Sequence, residues 1–117
     1  MKRVLIVEDS LIVSKLLASL LRAKGFDVRE CTSVSEAEKE LSNVDLAILD
    51  YQLPDGTGIE IAEKLKRYHP GVPVFLLTAR GSSIPKDVAA GAGIKEYMEK
   101  PVEPDVLINS VERYCTN

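Results

Sequence analysis

The sequence predicts an α/β domain, a doubly wound parallel sheet of five strands flanked by five helices. Three observations carry this prediction. Short β-branched runs alternate with segments whose apolar residues recur at helical spacing. The first run, Val4-Leu5-Ile6-Val7, is continuously apolar, the pattern of a strand buried on both faces. Helices placed between successive strands require right-handed crossovers, which make the sheet parallel and cover both its faces.

Strand one runs from Val4 to Val7 and ends at Glu8-Asp9. Ser10 suits an N-cap. Val13, Leu16, Leu17, Leu20 and Leu21 form the expected buried stripe of helix one, and Gly25 stops it. Phe26 to Cys31 reads as an edge strand. Ser33 and Glu36 fit a capping box for helix two, with Val34, Ala37 and Leu41 inward. Asp45 to Asp50 is strand three, again ending in a carboxylate. Leu53-Pro54-Asp55-Gly56 is turn chemistry. Thr57 and Glu60 suggest a second capping box, with Ile61, Leu65 and Tyr68 as the inner face of helix three.

Pro73 to Thr78 is strand four, with the proline at its first position, where a missing N–H is tolerated. Residues 84 to 91 read as a short helix begun by Pro85. Its surroundings, from Gly81 to Gly93, are rich in helix-weak residues, so this region is expected to be short or mobile. Ile94 to Glu99 is strand five. Pro104 opens a last helix carrying Leu107, Ile108, Val111 and Tyr114.

The chain has 117 residues, which fits one domain, taken as 1–117. Hydrophobic residues make up 45%, enough for a core, so a disordered or fibrous chain is not expected. Net charge is −3 with Lys and Arg dispersed, which argues against direct nucleic-acid binding by this domain. No apolar run is long enough for a membrane span and none resembles a secretory leader, so a cytoplasmic location is expected. Cys31 and Cys115 read as free thiols.

In an open parallel sheet, ligands bind beyond the carboxyl ends of the strands, where the strand order reverses. Those ends hold Glu8 and Asp9, then Asp50, Thr78 and Lys100. If strands one and three are neighbours, three carboxylates crowd together and need a compensating cation. With oxygen donors and no His or Cys among them, Mg²⁺ or Mn²⁺ fits better than zinc. A carboxylate can also attack phosphorus and give an acyl phosphate. Lys100 would place a charge, and Thr78 a hydroxyl, on the phosphoryl oxygens. No P-loop or dinucleotide fingerprint is present, so nucleotide binding is not expected. His69, near the end of helix three, is in the wrong place for phosphotransfer.

Taken together, Ile6-Val7-Glu8-Asp9-Ser10, Leu49-Asp50-Tyr51-Gln52-Leu53-Pro54-Asp55-Gly56, Leu77-Thr78-Ala79 and Tyr97-Met98-Glu99-Lys100-Pro101 resemble the receiver (CheY-like) domain of two-component response regulators over essentially the whole length. The resemblance implies a flavodoxin-like strand order 2-1-3-4-5. It implies that Asp50 is the phosphoacceptor, that Glu8, Asp9, Asp50 and the Gln52 backbone carbonyl hold Mg²⁺, and that Thr78 and Lys100 bind the phosphoryl group. It further implies Tyr97 as an aromatic switch with Thr78, and a cis peptide at Lys100-Pro101.

The implied partners are a sensor histidine kinase and a downstream protein or fused output domain, reached through helix four, strand five and helix five. A dimer formed on phosphorylation is compatible with it. The domain would modify itself, by phosphotransfer and autodephosphorylation, rather than act as an enzyme on other molecules. Gln52, Ala79 and Arg80 flank the site and would tune the phosphoryl lifetime. Val102 departs from the family, where Phe is common. An unphosphorylated interaction module has no reason to keep Asp9, Asp50, Thr78 and Lys100 together. An aspartyl phosphohydrolase would want an Asp two residues after the nucleophile, where this chain has Gln52, and an inserted cap.

Overall fold

Apolar strand runs and amphipathic helices give the computed structural model its element order; it describes residues 1–84 and 86–116. The elements are β1 (Arg3–Val7), α1 (Leu11–Ala23), β2 (Asp27–Cys31), α2 (Val34–Glu38), β3 (Leu46–Asp50), α3 (Gly58–Tyr68), β4 (Val74–Thr78), α4 (Lys86–Gly91), β5 (Glu96–Glu99) and α5 (Pro104–Tyr114). Gln52–Leu53 and Gly56–Thr57 form a separate antiparallel hairpin after β3. The five long strands pair in parallel in the order β2-β1-β3-β4-β5, as the resemblance implies. Pro85, expected to open α4, lies outside the described residues, and α4 is short, at six residues. No helix among the described residues is long and apolar enough to cross a membrane.

Strand alternation divides the core in two. Leu5, Val7, Ala47, Leu49, Val74 and Leu76 face α2 and α3, where Ala37, Ile61, Ala62 and Leu65 meet them. Val4, Ile6, Leu46, Ile48, Phe75 and Leu77 face α1 and α5, against Leu17, Leu21, Leu107 and Val111. All residues of β3 and β4 are buried, as continuous apolar runs require. β2 pairs only with β1 and carries Arg29 and Glu30, in keeping with an edge. Both thiols are free and buried, and burial pushes Cys31 up to about 11.

Four expectations need correction. Leu16 is 54% exposed, because α1 turns Ser14, Leu17, Ala18 and Leu21 to the sheet and Leu16 sits a third of a turn away. Tyr68, at the last position of α3, is 63% exposed, and its ring lies 5.4 Å from the Arg67 guanidinium. Thr57 stands at the N-cap of α3 but its side chain caps nothing. Its backbone is committed to the hairpin with Gln52, and the Gly58 N–H already donates to the Tyr51 carbonyl at 2.9 Å. In α2, Ser33 Oγ accepts from Glu36 N–H (3.2 Å), but the Glu36 carboxylate accepts from Thr32 N–H (2.7 Å), one residue ahead of the capping-box position.

Two glycines of the β3–α3 region and the following loop behave in opposite ways. A Cβ on Gly58 would lie 2.4 Å from the Asp50 carbonyl oxygen and 3.1 Å from Leu49 and Leu76 atoms. A Cβ on Gly71 would meet nothing within 4 Å. Gly58→Ala is therefore expected to cost about 1–3 kcal/mol by overpacking, while Gly71→Ala stays within about 0.5 kcal/mol. Denaturant midpoints at constant slope measure both; a neutral Gly58→Ala would show that β3 and α3 can separate freely.

Candidate functional site

The first site residues follow β1. The Glu8 N–H donates to the Cys31 carbonyl (2.9 Å), extending the β1–β2 ladder by one residue. Glu8 has the parity of Val4 and Ile6, so its side chain turns inward and is 0% exposed, while Asp9 turns out to solvent. Glu8 Oε2 accepts from Ser10 N–H at 3.2 Å, and Ser10 Oγ accepts from Val13 N–H at 3.4 Å to cap α1. Asp50 is the last residue of β3, buried, and held in the sheet by the Tyr51 N–H to Leu77 carbonyl bond (2.8 Å).

Lys100 completes the cluster from the far side. Its N–H donates to the Thr78 carbonyl (2.8 Å), and its peptide with Pro101 is cis. Its Nζ lies 2.6 Å from Glu8 Oε1 and donates to Asp50 Oδ2 at 2.9 Å. Burial works against the ammonium, but its pairing with Glu8 and Asp50 outweighs it and leaves Lys100 above the ordinary lysine value.

Donor atoms of Glu8, Asp9 and Asp50 all lie within 4.8 Å of one another. At formal charge, three carboxylates against one ammonium leave two negative charges. Glu8 Oε1 is buried and, despite its ion pair, has no hydrogen bond of acceptable geometry. A hard divalent cation answers both features, and the all-oxygen donor set fits Mg²⁺. The cluster opens into a cleft of about 240 Å³ lined by Asp9, Asp50, Tyr51, Gln52, Ala79, Ser82 and Lys100.

Sequence reasoning named Asp9, Asp50, Gln52, Ala79 and Lys100 at the site and missed Tyr51 and Ser82. The Ser82 N–H closes a turn on the Ala79 carbonyl (3.0 Å), and only the rule that loops after strand ends line sites could have pointed to it. Thr78 ends β4 in a buried position. Tyr97 pairs in register with Leu76, which puts it on the same sheet face as Leu76 and Thr78. It is 50% exposed. His69 is the C-cap of α3, a helix that starts beside Asp50 and runs away from the carboxyl ends, so it stands apart from the cluster.

Asp55, read from sequence as a turn residue, reaches α2. Its two oxygens accept from Val34 N–H (2.8 Å) and Ser35 N–H (3.0 Å), and these bonds, Val34's first, hold its carboxyl below the ordinary value.

Comparison with known proteins matches residues 4–112 to the response regulator receiver domain family. The sensory transduction protein RegX3 of Mycolicibacterium smegmatis is 40% identical over 113 residues, covering 92% of this chain and 48% of that protein. A cyclic di-GMP phosphodiesterase of Thermotoga maritima is 35% identical over 104 residues, covering 89% of this chain and 28% of that protein. The chain thus spans about half the length, or less, of the curated relatives it matches. Among solved structures, a receiver domain protein (CheY-like) from Methanospirillum hungatei superposes with TM-score 0.88 at 28% identity, over 97% of this chain and 92% of that one. The non-phosphorylated HemR receiver domain of Leptospira biflexa gives TM-score 0.87 at 28% identity, over 100% and 96%.

Removing the Lys100 charge leaves Glu8 and Asp50 facing each other under cover. Losing one partner of a fully buried pair costs about 3–5 kcal/mol. Lys100 is partly exposed, so Lys100→Met is expected to cost about 1–3 kcal/mol in divalent-free buffer. Adding Glu8→Gln to Lys100→Met should recover part of that loss. Equal stability of wild type and Lys100→Met in urea would mean that water already screens the cluster.

Proposed function

The chain belongs to the response regulator receiver domain family, and on that premise we propose that it is a phosphorylation switch whose Asp50 accepts a phosphoryl group from a histidine kinase in a Mg²⁺-dependent reaction. The observation that carries this reading is the meeting of Asp50, Glu8, Asp9 and Lys100 at the carboxyl ends of three strands, open to one cleft.

An oxygen of the Asp50 carboxylate attacks phosphorus in line with the leaving group. The P–N bond of a phosphohistidine, or the P–O bond of a small acyl phosphate, breaks as the acyl phosphate forms. The leaving group departs with the electron pair of the broken bond. Glu8, Asp9, Asp50 and the Gln52 carbonyl would hold Mg²⁺, which when bound offsets the negative charge gathered around the transferred group. Lys100, paired with Asp50, would add a second positive charge. Buried Thr78 would donate its hydroxyl to a phosphoryl oxygen. Gln52 and Ala79, from the cleft lining, and Arg80 beside them would tune how long the acyl phosphate survives.

Phosphorylation adds negative charge and acceptors. Thr78 moving toward them opens space on the face it shares with Tyr97, and the Tyr97 ring would turn inward to fill it. That shifts the population of the surface made by α4, β5 and α5, which would serve a downstream partner, a fused output domain or a second copy. The domain modifies itself rather than turning over other molecules, and the reading goes with a cytoplasmic location.

Incubation with Mg²⁺ and a small acyl phosphate should add one phosphoryl group by mass spectrometry to wild type and none to Asp50→Asn, and a chelator should abolish the gain. A wild type that never gains mass and shows no spectral response to beryllofluoride would sink this reading. The switch has its own test: Tyr97, half exposed at rest, should lose reactivity to hydroxyl-radical labelling in the beryllofluoride form. Unchanged Tyr97 labelling, with the mimic bound, would remove Tyr97 from the switch.

A further inference from the structure

The loop joining β3 to α3 carries the Gln52 carbonyl, and its two ends are tied. The Tyr51 N–H donates to the Leu77 carbonyl (2.8 Å), and the Tyr51 carbonyl accepts from Gly58 N–H (2.9 Å). Between these ties lies only the hairpin that pairs Gln52 with Thr57 and Leu53 with Gly56. A ladder that short has little stability of its own. Its tip is secured elsewhere, by the two bonds from the Val34 and Ser35 N–H groups to the Asp55 carboxylate.

The accounting on α2 shows how reciprocal this is. The first amides of a helix need acceptors from outside it. Glu36 N–H has Ser33 Oγ and Ala37 N–H has the Ser33 carbonyl (3.1 Å). Val34 and Ser35 are served by Asp55, 21 and 20 residues away in sequence. Two amides of α2 therefore depend on the hairpin, and the hairpin tip depends on α2.

We infer that Asp55 is a positioning residue for the metal site: its clasp on α2 holds the hairpin so that the Gln52 backbone stays beside the carboxylate cluster. This rests on the receiver reading above, in which the Gln52 carbonyl is a ligand. Asp55 belongs neither to the carboxylate cluster nor to the cleft lining. It acts through the hairpin backbone, much as a buried outer hydrogen bond orients a ligating side chain.

The test separates positioning from simple helix capping. Ser33→Ala removes the acceptor of Glu36 N–H and weakens the same helix end without touching the hairpin. Mg²⁺ affinity is measured by calorimetry on wild type, Asp55→Ala, Asp55→Asn and Ser33→Ala, at a temperature where all four are folded by circular dichroism. Asp55→Ala should bind Mg²⁺ about ten-fold more weakly or worse. Asp55→Asn, which keeps one acceptor oxygen, should fall between it and wild type, and Ser33→Ala should match wild type. The amide chemical shifts of Gln52 and Thr57 should move in Asp55→Ala and not in Ser33→Ala. Equal Mg²⁺ affinity in Asp55→Ala and Ser33→Ala would overturn the inference and leave Asp55 a helix cap. A wild type that binds no Mg²⁺ would overturn the receiver reading along with it.

Discussion

The Lys100 ammonium lies between two buried carboxylates that belong to adjacent strands, 2.6 Å from Glu8 and 2.9 Å from Asp50. Parallel pairing of β1 with β3 sets those carboxylates side by side, because residues of like parity at the same end of neighbouring strands point the same way. Their mutual repulsion is strong where water is scarce. A single cation relieves it only in part, since Asp9 brings a third negative group within reach. Beside that surplus lie an open cleft and a lysine carried just beyond the strand that closes the sheet on that side.

The sheet supplies the stiffness this arrangement needs. β3 and β4 are buried on both faces, and Asp50 sits at the end of an element that cannot shift without disturbing two cores. Gly58 adds a second constraint, since the start of α3 approaches the Asp50 backbone more closely than any side chain would permit. The elements that would carry the signal are of another kind. α4 has six residues, and Tyr97 lies half exposed on an edge strand. The stiff, doubly buried strands thus end at the carboxylate cluster, while a short helix and a half-exposed aromatic lie toward the edge of the sheet.

Much of this was legible in the sequence because it is local. Strand-end carboxylates follow directly after apolar runs, so Glu8, Asp9 and Asp50 could be placed from the pattern around them. Thr78 closes an apolar run in the same way, while Lys100 follows a mixed strand and stands out by the Lys-Pro break. What escaped depends on partners distant in sequence. Leu16 has the chemistry of a core residue, but only the orientation of α1 on the sheet decides that Leu17 is buried and Leu16 is not. Thr57 and Glu60 have the spacing of a capping box, but the hairpin had already claimed Thr57. Asp55 reads as a turn former, and nothing near it in sequence reveals that its acceptor oxygens serve another helix. Ser82 belongs to the same class, a polar residue whose meaning lies in which loop end the fold brings beside it.

The two edge strands have a further consequence. An all-parallel sheet is assembled from contacts distant in sequence, so its pairing is slow and its borders stay open to other chains while it forms. β2 and β5 form those borders, and both carry charge: Asp27, Arg29 and Glu30 on one, Glu96 and Glu99 on the other. Arg29 pairs with Glu40 at 2.6 Å, and Glu30 with Lys15 and Arg22 at 3.2 Å. A strand arriving from a second molecule would have to strip these groups of water and break their pairs before it could dock. The border charges on β2 and β5 thus count against edge-to-edge pairing of the folded domain.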